Sequence, residues 1–481
     1  MRGSVEHTVE SAIDRVMSLR CEEQTIEVKA AHQGSPKLYE TLSSFSNQPD
    51  GGIILCGIDE SAGFVPVGVF DPHRLQQEIV NQCKEMTPEL HPVFSVTTRD
   101  GYTIVGAVIP GLPIGHRPAY RTTSGITKGS YVRSGDQDIR MNAQDLYEIE
   151  SFKNGVHLDH TVPEGSDASL LDSAKVASFV AAAQKNRARL ATRKQEKVLD
   201  LIGATVKGRP TLAGIMTLGD YPQQTYPNLC LTAIAVAGTR ITQGGQGNRF
   251  LDNRTMDGTI DEIVEETMAF VARNTKTRSI VTGTVRKDVP QYPEQAIREI
   301  VTNSLMHRDY GPFSDGTPTR LVIYSNRIEC SNPGGLYGGQ SVEDLGNADT
   351  PTRNPTLVSI LEIQGIAENR HSGIPVIRDE CQKAGLLPPL FEDRRGQFRV
   401  TIYGDPVEPE EKSGVGLSEE AVIAFCRVPR SREEVASFFD ANKSYVASYY
   451  LNPLVDRGLL LRTLPEKPRS KNQRYVAAHR S

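Results

Sequence analysis

Along the first 152 residues, short apolar runs alternate with stretches whose apolar positions recur every three or four residues. The runs Gly52–Gly57 and Thr103–Ile109 predict strands, and Asp71–Lys84 and Ala143–Phe152 predict helices. Gly51-Gly52, Pro110-Gly111 and Gly135 mark turns between them. Residues 153–167 are polar and read as a linker, with His157, Asp159 and His160 as solvated loop residues. Helical spacing returns from Ser169 to Val198 and turns basic, with Lys185, Arg187, Arg189, Arg193, Lys194 and Lys197. That face is either simply solvated or touches phosphates. A strand at Cys230–Ala237, a helix over Asp261–Ala272, a helix over Pro293–His307, and strands at Arg320–Ser325 and Arg327–Cys330 follow. The spacing thus predicts five segments: a domain at 1–152, a linker and basic helix at 153–199, a domain at 200–404, a Pro/Glu/Gly-rich linker at 405–416, and a small domain at 417–481. The predicted class is a multidomain α+β protein.

Composition narrows the function. No run of about 18 apolar residues occurs, so no membrane-spanning helix is expected. The polar N-terminus lacks the apolar region of a secretion signal, and a cytoplasmic location is expected. The seven cysteines are scattered and never spaced as C-x-x-C, which argues against a disulfide framework or structural zinc. The formal net charge is −5, so nucleic-acid contact has to come from local basic patches.

One such place carries chemistry. Glu22, Glu27 and Lys29 lie in CEEQTIEVKA, and Asp59 follows the apolar run of DGGIILCGIDE. If Ile26–Val28 is the edge of the sheet containing Ile53–Cys56, three carboxylates can converge at strand ends. Such a set suits Mg²⁺ or Mn²⁺, with Lys29 as a point charge for phosphate. The alternative is a surface pairing of Lys29 with Glu27 or Asp59. Arg117, Arg121, Lys128 and Arg133 occur with Tyr120 and Tyr131, a mixture suited to phosphate contact and base stacking, or to ordinary loop surface.

CEEQTIEVKAA followed by LSSFSNQPDGGIILCGIDESAGFVPVG, RPAY and YVRSG resembles the Schlafen or AlbA-2 type domain. The resemblance implies DNA or RNA as partner. Through animal relatives that use two glutamates and an aspartate, it also implies a metal-dependent ribonuclease centre at Glu22, Glu27 and Asp59 beside Lys29.

A second constellation lies in YPEQAIREIVTNSLMHRDY, where Glu299, Asn303 and His307 share one helix face. There a carboxylate can align water and an amide oxygen can ligate Mg²⁺, or the stripe is a satisfied surface. With YSNRIECSNPGGL, TRNPTLVSIL and GIAENRHSGIPVIRDECQKAGLLPPLF, it resembles the divergent gyrase and histidine-kinase type ATPase branch labelled RecG-like C-terminal. The resemblance implies an α/β sandwich that binds ATP. In it Glu299 activates water, Asn303 holds the metal, and His307, Gly334, Gly335, Arg370 and Gly373 lie near nucleotide. Asn332-Pro333-Gly334 stands where that family has an Asp-x-Gly that reads adenine, so the adenine contact is missing its acid.

The last segment gives three helical runs and a basic hairpin, the pattern of a winged helix-turn-helix. Lys443 and Tyr445 fall on its recognition helix, and Lys467, Arg469, Lys471 and Arg474 on its wing. The leading expectation is a nucleic-acid-binding, ATP-binding transcriptional regulator, capable of homo-oligomerising. The alternatives are a metal-dependent nuclease acting in defence, and a scaffold with both centres degenerate.

Overall fold

The computed structural model describes residues 2–241, 250–282, 285–346, 351–367, 373–394, 396–404, 417–426, 429–439, 441–463 and 473–478. It is a mixed α and β protein with several sheets, and its chain divides into two compact units. One comprises Met1–Lys153 with Glu411–Ser481, the other Asn154–Glu410.

The N-terminal module is built on a four-stranded sheet in the order Ile26–Lys29, Gly52–Cys56, Tyr102–Ile109, Val93–Arg99. Ile26–Lys29 is an edge strand and runs parallel to Gly52–Cys56, with Glu27 opposite Ile54 and Lys29 opposite Cys56. The helix Arg2–Leu19 supplies Val9, Ile13 and Val16 to one apolar cluster, with Ile26, Val28 and Leu55. Alternate residues of the same strands, Ile54 and Cys56, enter a second cluster with Leu42 and Phe45 of the helix Tyr39–Ser46. The period-two alternation of a strand produces this two-sided burial. Gly57 ends its strand at φ +105°, where a Cβ would lie 2.9 Å from the Thr103 carbonyl oxygen, so only glycine fits without strain.

The second unit holds a six-stranded sheet in the order Asp252–Met256, Leu231–Ala235, Thr319–Ile323, Arg327–Pro333, Gln397–Tyr403, Leu390–Arg394. Only the pair Leu231–Ala235 and Thr319–Ile323 is parallel within it. The helices Ile260–Asn274 and Glu294–Met306 bury their apolar stripes in the same core.

Residues 153–199 are not a free linker. Val176, Phe179, Val180 and Ala183 of the helix Ser173–Asn186 enter the core of the second unit, as does Leu190 beyond it. Asp159 is fully buried and accepts from Leu357 N (2.9 Å) at the start of the helix Pro355–Gln364. An acid at a helix N-terminus satisfies amides that would otherwise lack partners. The polar composition of this stretch therefore reflects capping, which cannot be told from solvation in the sequence.

The C-terminal segment contains the helices Glu419–Phe425, Arg432–Phe438, Lys443–Val446 and Asn452–Asp456, with a three-stranded sheet in the order Arg430–Ser431, Arg474–Ala477, Leu460–Arg462. Val422, Val435, Val446, Leu454, Leu460 and Tyr475 form its core. The expected linker 405–416 lies outside the described residues.

Candidate nucleic-acid cleft and ATPase-type centre

Arg133 organises the first site. It sits on the strand Tyr131–Ser134, paired antiparallel to Gln137–Arg140, and its side chain is 1% exposed. Its guanidinium lies 2.7 Å from Glu27 Oε2, 3.0 Å from Asp138 Oδ1 and 3.6 Å from Glu22 Oε2. Lys29 Nζ also donates to Glu27, and Val28 N donates to Glu22 Oε1 at 2.7 Å. Glu22 and Glu27 thus do converge, as the edge-strand geometry predicts. They converge on cations of the chain, and the acid joining them is Asp138. Burial, then the Glu27 charge, push the Glu22 carboxyl up to about 7, against the pull of the Val28 amide. Burial alone would lower Lys29, but its hydrogen bond and charge contact with Glu27 more than reverse that and keep it protonated.

Asp59 goes elsewhere. Its Oδ1 accepts from Ser61 N (2.8 Å), Ser61 Oγ (2.7 Å) and Ala62 N (3.4 Å), closing its own turn. The Ser61 hydroxyl and these amides hold its carboxyl below the usual range. Among the described residues, no group of three or more His, Cys, Asp or Glu is arranged to hold a metal. A divalent cation at Glu22 and Glu27 would have to displace the Arg133 guanidinium, so this donor set does not fit one as it stands.

The helix Tyr39–Ser46 fixes the arrangement. Ser44 Oγ and Thr41 Oγ1 donate to Asp138, the latter at 2.7 Å. Ser43 Oγ accepts from Tyr131 N (2.8 Å) and donates to the Ala119 carbonyl (2.6 Å). Asn47 Oδ1 accepts from Ala119 N (2.7 Å), and its amide donates to the carbonyls of Ala119 and Tyr131 (3.0 Å each). The Thr-Leu-Ser-Ser-Phe-Ser-Asn motif is therefore a clamp on two distant segments. Asp138 escaped the sequence reading, although the Gly135-Asp136 turn of YVRSGDQDIR would have placed it opposite Arg133.

Beside this network opens a cleft of about 620 Å³ lined by Lys29, Lys37, Tyr39, Arg121, Lys128 and Tyr131, with Glu27, Glu40 and Asp138 in its wall. Arg121 stacks 3.8 Å over the Tyr39 ring and pairs with Glu85 at 3.2 Å, while Tyr39 OH donates to Glu85 at 2.8 Å. Tyr131 OH donates to Glu40 at 2.9 Å. Lys37 and Lys128 are exposed, and neither has an ion-pair partner among the described residues. Lys37 and Tyr39 also line the cleft, although no motif or spacing in the chain singles them out.

Two of the four expected phosphate contacts are corrected. Arg133 is enclosed, and Arg117 is buried with Nε donating to the Leu112 carbonyl at 2.7 Å. Burial pushes Arg117 down to about 10, against the Asp50 charge. Both arginines hold the module together, while Arg121 and Lys128 remain at the cleft.

In the second unit, the helix Glu294–Met306 brings Asn303 Nδ2 to 3.2 Å from Glu299 Oε2. Both are half-buried, and His307 follows as the exposed C-cap residue. Gly373 starts the helix Gly373–Lys383, and a Cβ there would lie 2.8 Å from both Asn303 Nδ2 and Glu299 Oε2. The structure thus gathers Glu299, Asn303 and Gly373. Gly334 and Gly335 turn toward protein. A Cβ on Gly334 would meet Asp309 Cβ at 2.7 Å, and one on Gly335 would meet Asp393 Oδ1 at 2.6 Å. Arg353 pairs with Asp309 at 3.0 Å and donates to the Gly335 carbonyl at 3.2 Å, and Asn354 Nδ2 donates to the carbonyls of Met306 and Arg308, each at 2.9 Å. Arg353 and Asn354 therefore tie the loop to the helix end. Arg370 lies outside the described residues.

In the C-terminal segment Tyr445 is 2% exposed and stacks on Tyr449 with centroids 4.8 Å apart, so it is a core residue and not a base contact. Lys443 is exposed, 3.6 Å from Glu433, and Arg474 lies 2.9 Å from Glu434. Lys467, Arg469 and Lys471 lie outside the described residues.

The model of the Schlafen, AlbA_2 family matches residues 22–142, which span the whole Arg133 network and the cleft. The chain carries a Schlafen/AlbA_2 domain. The family described as "Putative ATP-dependent DNA helicase recG C-terminal" matches residues 316–402, making this part a RecG-like C-terminal ATPase-type domain. Among solved structures, the DIP2311 protein of Corynebacterium diphtheriae is 17% identical over 99% of this chain and 97% of its own, with a TM-score of 0.41. The N-terminal domain of a RecG-related protein of Nitrosomonas europaea is 29% identical over 27% of this chain and 92% of its own, with a TM-score of 0.22. No curated protein matches the chain. No described helix is long and apolar enough to cross a membrane.

Proposed function

We propose that this chain is a nucleic-acid-binding regulator whose Schlafen/AlbA_2 module holds a strand in the Lys37–Tyr39–Arg121–Lys128 cleft. The observation that carries this is the cleft itself. Two exposed lysines without ion-pair partners among the described residues flank a guanidinium already stacked on a tyrosine, with a second tyrosine in the same wall. Cations meet phosphates, and the aromatic faces accept bases of any identity. Lys29, kept protonated by Glu27, adds a point charge. The Arg133 contacts favour binding over cutting, because both glutamates are already neutralised by the chain.

In the ATPase-type domain, Asn303 would hold Mg²⁺ and Glu299 would align water, with Gly373 keeping the neighbouring backbone close enough for both. ATP supplies the phosphate bond whose cleavage such a domain harnesses. The C-terminal helices and sheet act as a winged helix, with Lys443 and Arg474 as its described candidates for phosphate contact.

The test is fluorescence anisotropy of the full chain with labelled single-stranded DNA, single-stranded RNA and duplex, across a salt series. Lys37→Ser/Arg121→Ser/Lys128→Ser should weaken single-strand binding and lower the slope of log affinity against log salt by about 2, at roughly 0.7 per contact. An unchanged slope would refute the cleft as the site. Mn²⁺-dependent cleavage abolished by Glu27→Ala would establish the nuclease alternative. ATP binding in calorimetry, lost in Asn303→Ala, would remove the degenerate-scaffold alternative.

A further inference from the structure

Where the helix Ser173–Asn186 ends and the helix Gln195–Ile202 begins, residues 185–197 carry six cations: Lys185, Arg187, Arg189, Arg193, Lys194 and Lys197. All six are exposed, and none forms an ion pair among the described residues. The turn is firmly held. Leu190 anchors it in the core, Gln184 Nε2 donates to the Arg193 carbonyl at 2.9 Å, Arg193 N donates to the Leu190 carbonyl at 2.9 Å, and Arg187 Nη2 donates to Ser359 Oγ at 2.9 Å. A fixed turn presents its charges without a large ordering cost on binding.

A second observation separates this cluster from a merely solvated face. Lys194 is the N-cap of Gln195–Ile202, and its side chain makes no capping hydrogen bond. Lysine cannot accept from the free amides there, and Lys194 and Lys197 both place positive charge at the positive end of the helix. Only Glu196 opposes them in the first turn. Local stability favours a hydroxyl or an acid at the cap, and a sequence that departs from its local preference at an exposed position marks a site under another demand. An anion lying against the turn satisfies the free amides and the lysines together.

We infer that the 185–197 turn is a second anion-binding surface, which takes the phosphodiester backbone of nucleic acid. It lies in the ATPase-containing unit and goes beyond the cleft reading. Three arginines suit phosphate oxygens, which they can grip in pairs. The one large apolar side chain in the turn, Leu190, is buried, so the turn offers nothing to insert into a lipid interface.

The experiment uses the full chain carrying the cleft substitutions Lys37→Ser/Arg121→Ser/Lys128→Ser, with a labelled mixed-sequence duplex as probe. Adding Arg189→Ser, Arg193→Ser, Lys194→Ser and Lys197→Ser should lower the slope of log affinity against log salt by about 2–4, at roughly 0.9 per contact. A control variant neutralising the dispersed exposed cations Lys153, Arg254, Lys276 and Lys383 should leave the slope nearly unchanged. The turn variant should also melt no lower than its parent, since capping improves at position 194. Equal loss in both variants would overturn the inference in favour of a general charge effect. So would duplex binding unaffected by the turn substitutions, whether or not anionic vesicles are then retained. If the unsubstituted chain bound no nucleic acid, the cleft reading would fall as well. If only the cleft substitutions mattered, the turn alone would be refuted.

Discussion

Replacing Arg133 by methionine separates a structural guanidinium from a ligand-facing one. Arg133 reaches Glu27 at 2.7 Å, Asp138 at 3.0 Å and Glu22 at 3.6 Å, with 1% of its side chain exposed. Its guanidinium also lies 5.2 Å from the centre of the Phe45 ring. Methionine fills comparable apolar space but leaves Asp138 without its ion partner and Glu27 with Lys29 alone. Removing one partner of a buried ion network costs about 3–5 kcal/mol, because the remaining charges stay desolvated. Glu22 adds little near neutral pH, since burial already holds its carboxyl up at about 7. Amide exchange in peptides covering 22–29, 52–56 and 131–140 reports this module within the multidomain chain, where a single global unfolding curve does not. Protection should fall by about 3–5 kcal/mol at pH 7.5. A change below about 1 kcal/mol with loss of nucleic-acid binding would refute the reasoning and return Arg133 to the ligand.

Glu22 has its folded pKa raised from 4.5 to about 7, so the stability it contributes is full at low pH and is lost as pH rises through about 7. Glu22→Gln keeps the acceptor for Val28 N and should stabilise the module at pH 8 by up to about 3 kcal/mol, with no gain at pH 4; exchange protection that rises from pH 5 to 8 in the parent chain and flattens in the variant would contradict this. Gly334→Ala should cost about 2–4 kcal/mol in urea unfolding of the second unit, because its φ of +91° and the Asp309 backbone nitrogen, 3.0 Å from a Cβ, leave no room to relax. Gly335→Ala should cost less, as the atom it meets most closely is the movable Asp393 carboxylate.

Much of the local architecture was legible in the chain. The strand before Asp59 and the helix carrying Glu299 and Asn303 follow from apolar spacing, which burial imposes on each element separately, whereas the edge position of Ile26–Lys29 was a supposition and its parallel pairing came from the structure. Ordered motifs located the Schlafen/AlbA_2 and ATPase-type domains. The tertiary structure alone decided which acids meet. Asp59 was expected beside Glu22 and Glu27, yet its carboxylate closes its own turn, and Asp138, over a hundred residues from the glutamates, takes its place at Arg133. Charge type is written in the sequence, but the distance over which a charge is neutralised is not. For the same reason Arg117, Arg133 and Tyr445 looked like contacts for phosphates and bases until their burial was known. A cation binds a strand only where the fold leaves it in solvent, and that is settled by packing between segments far apart in the chain.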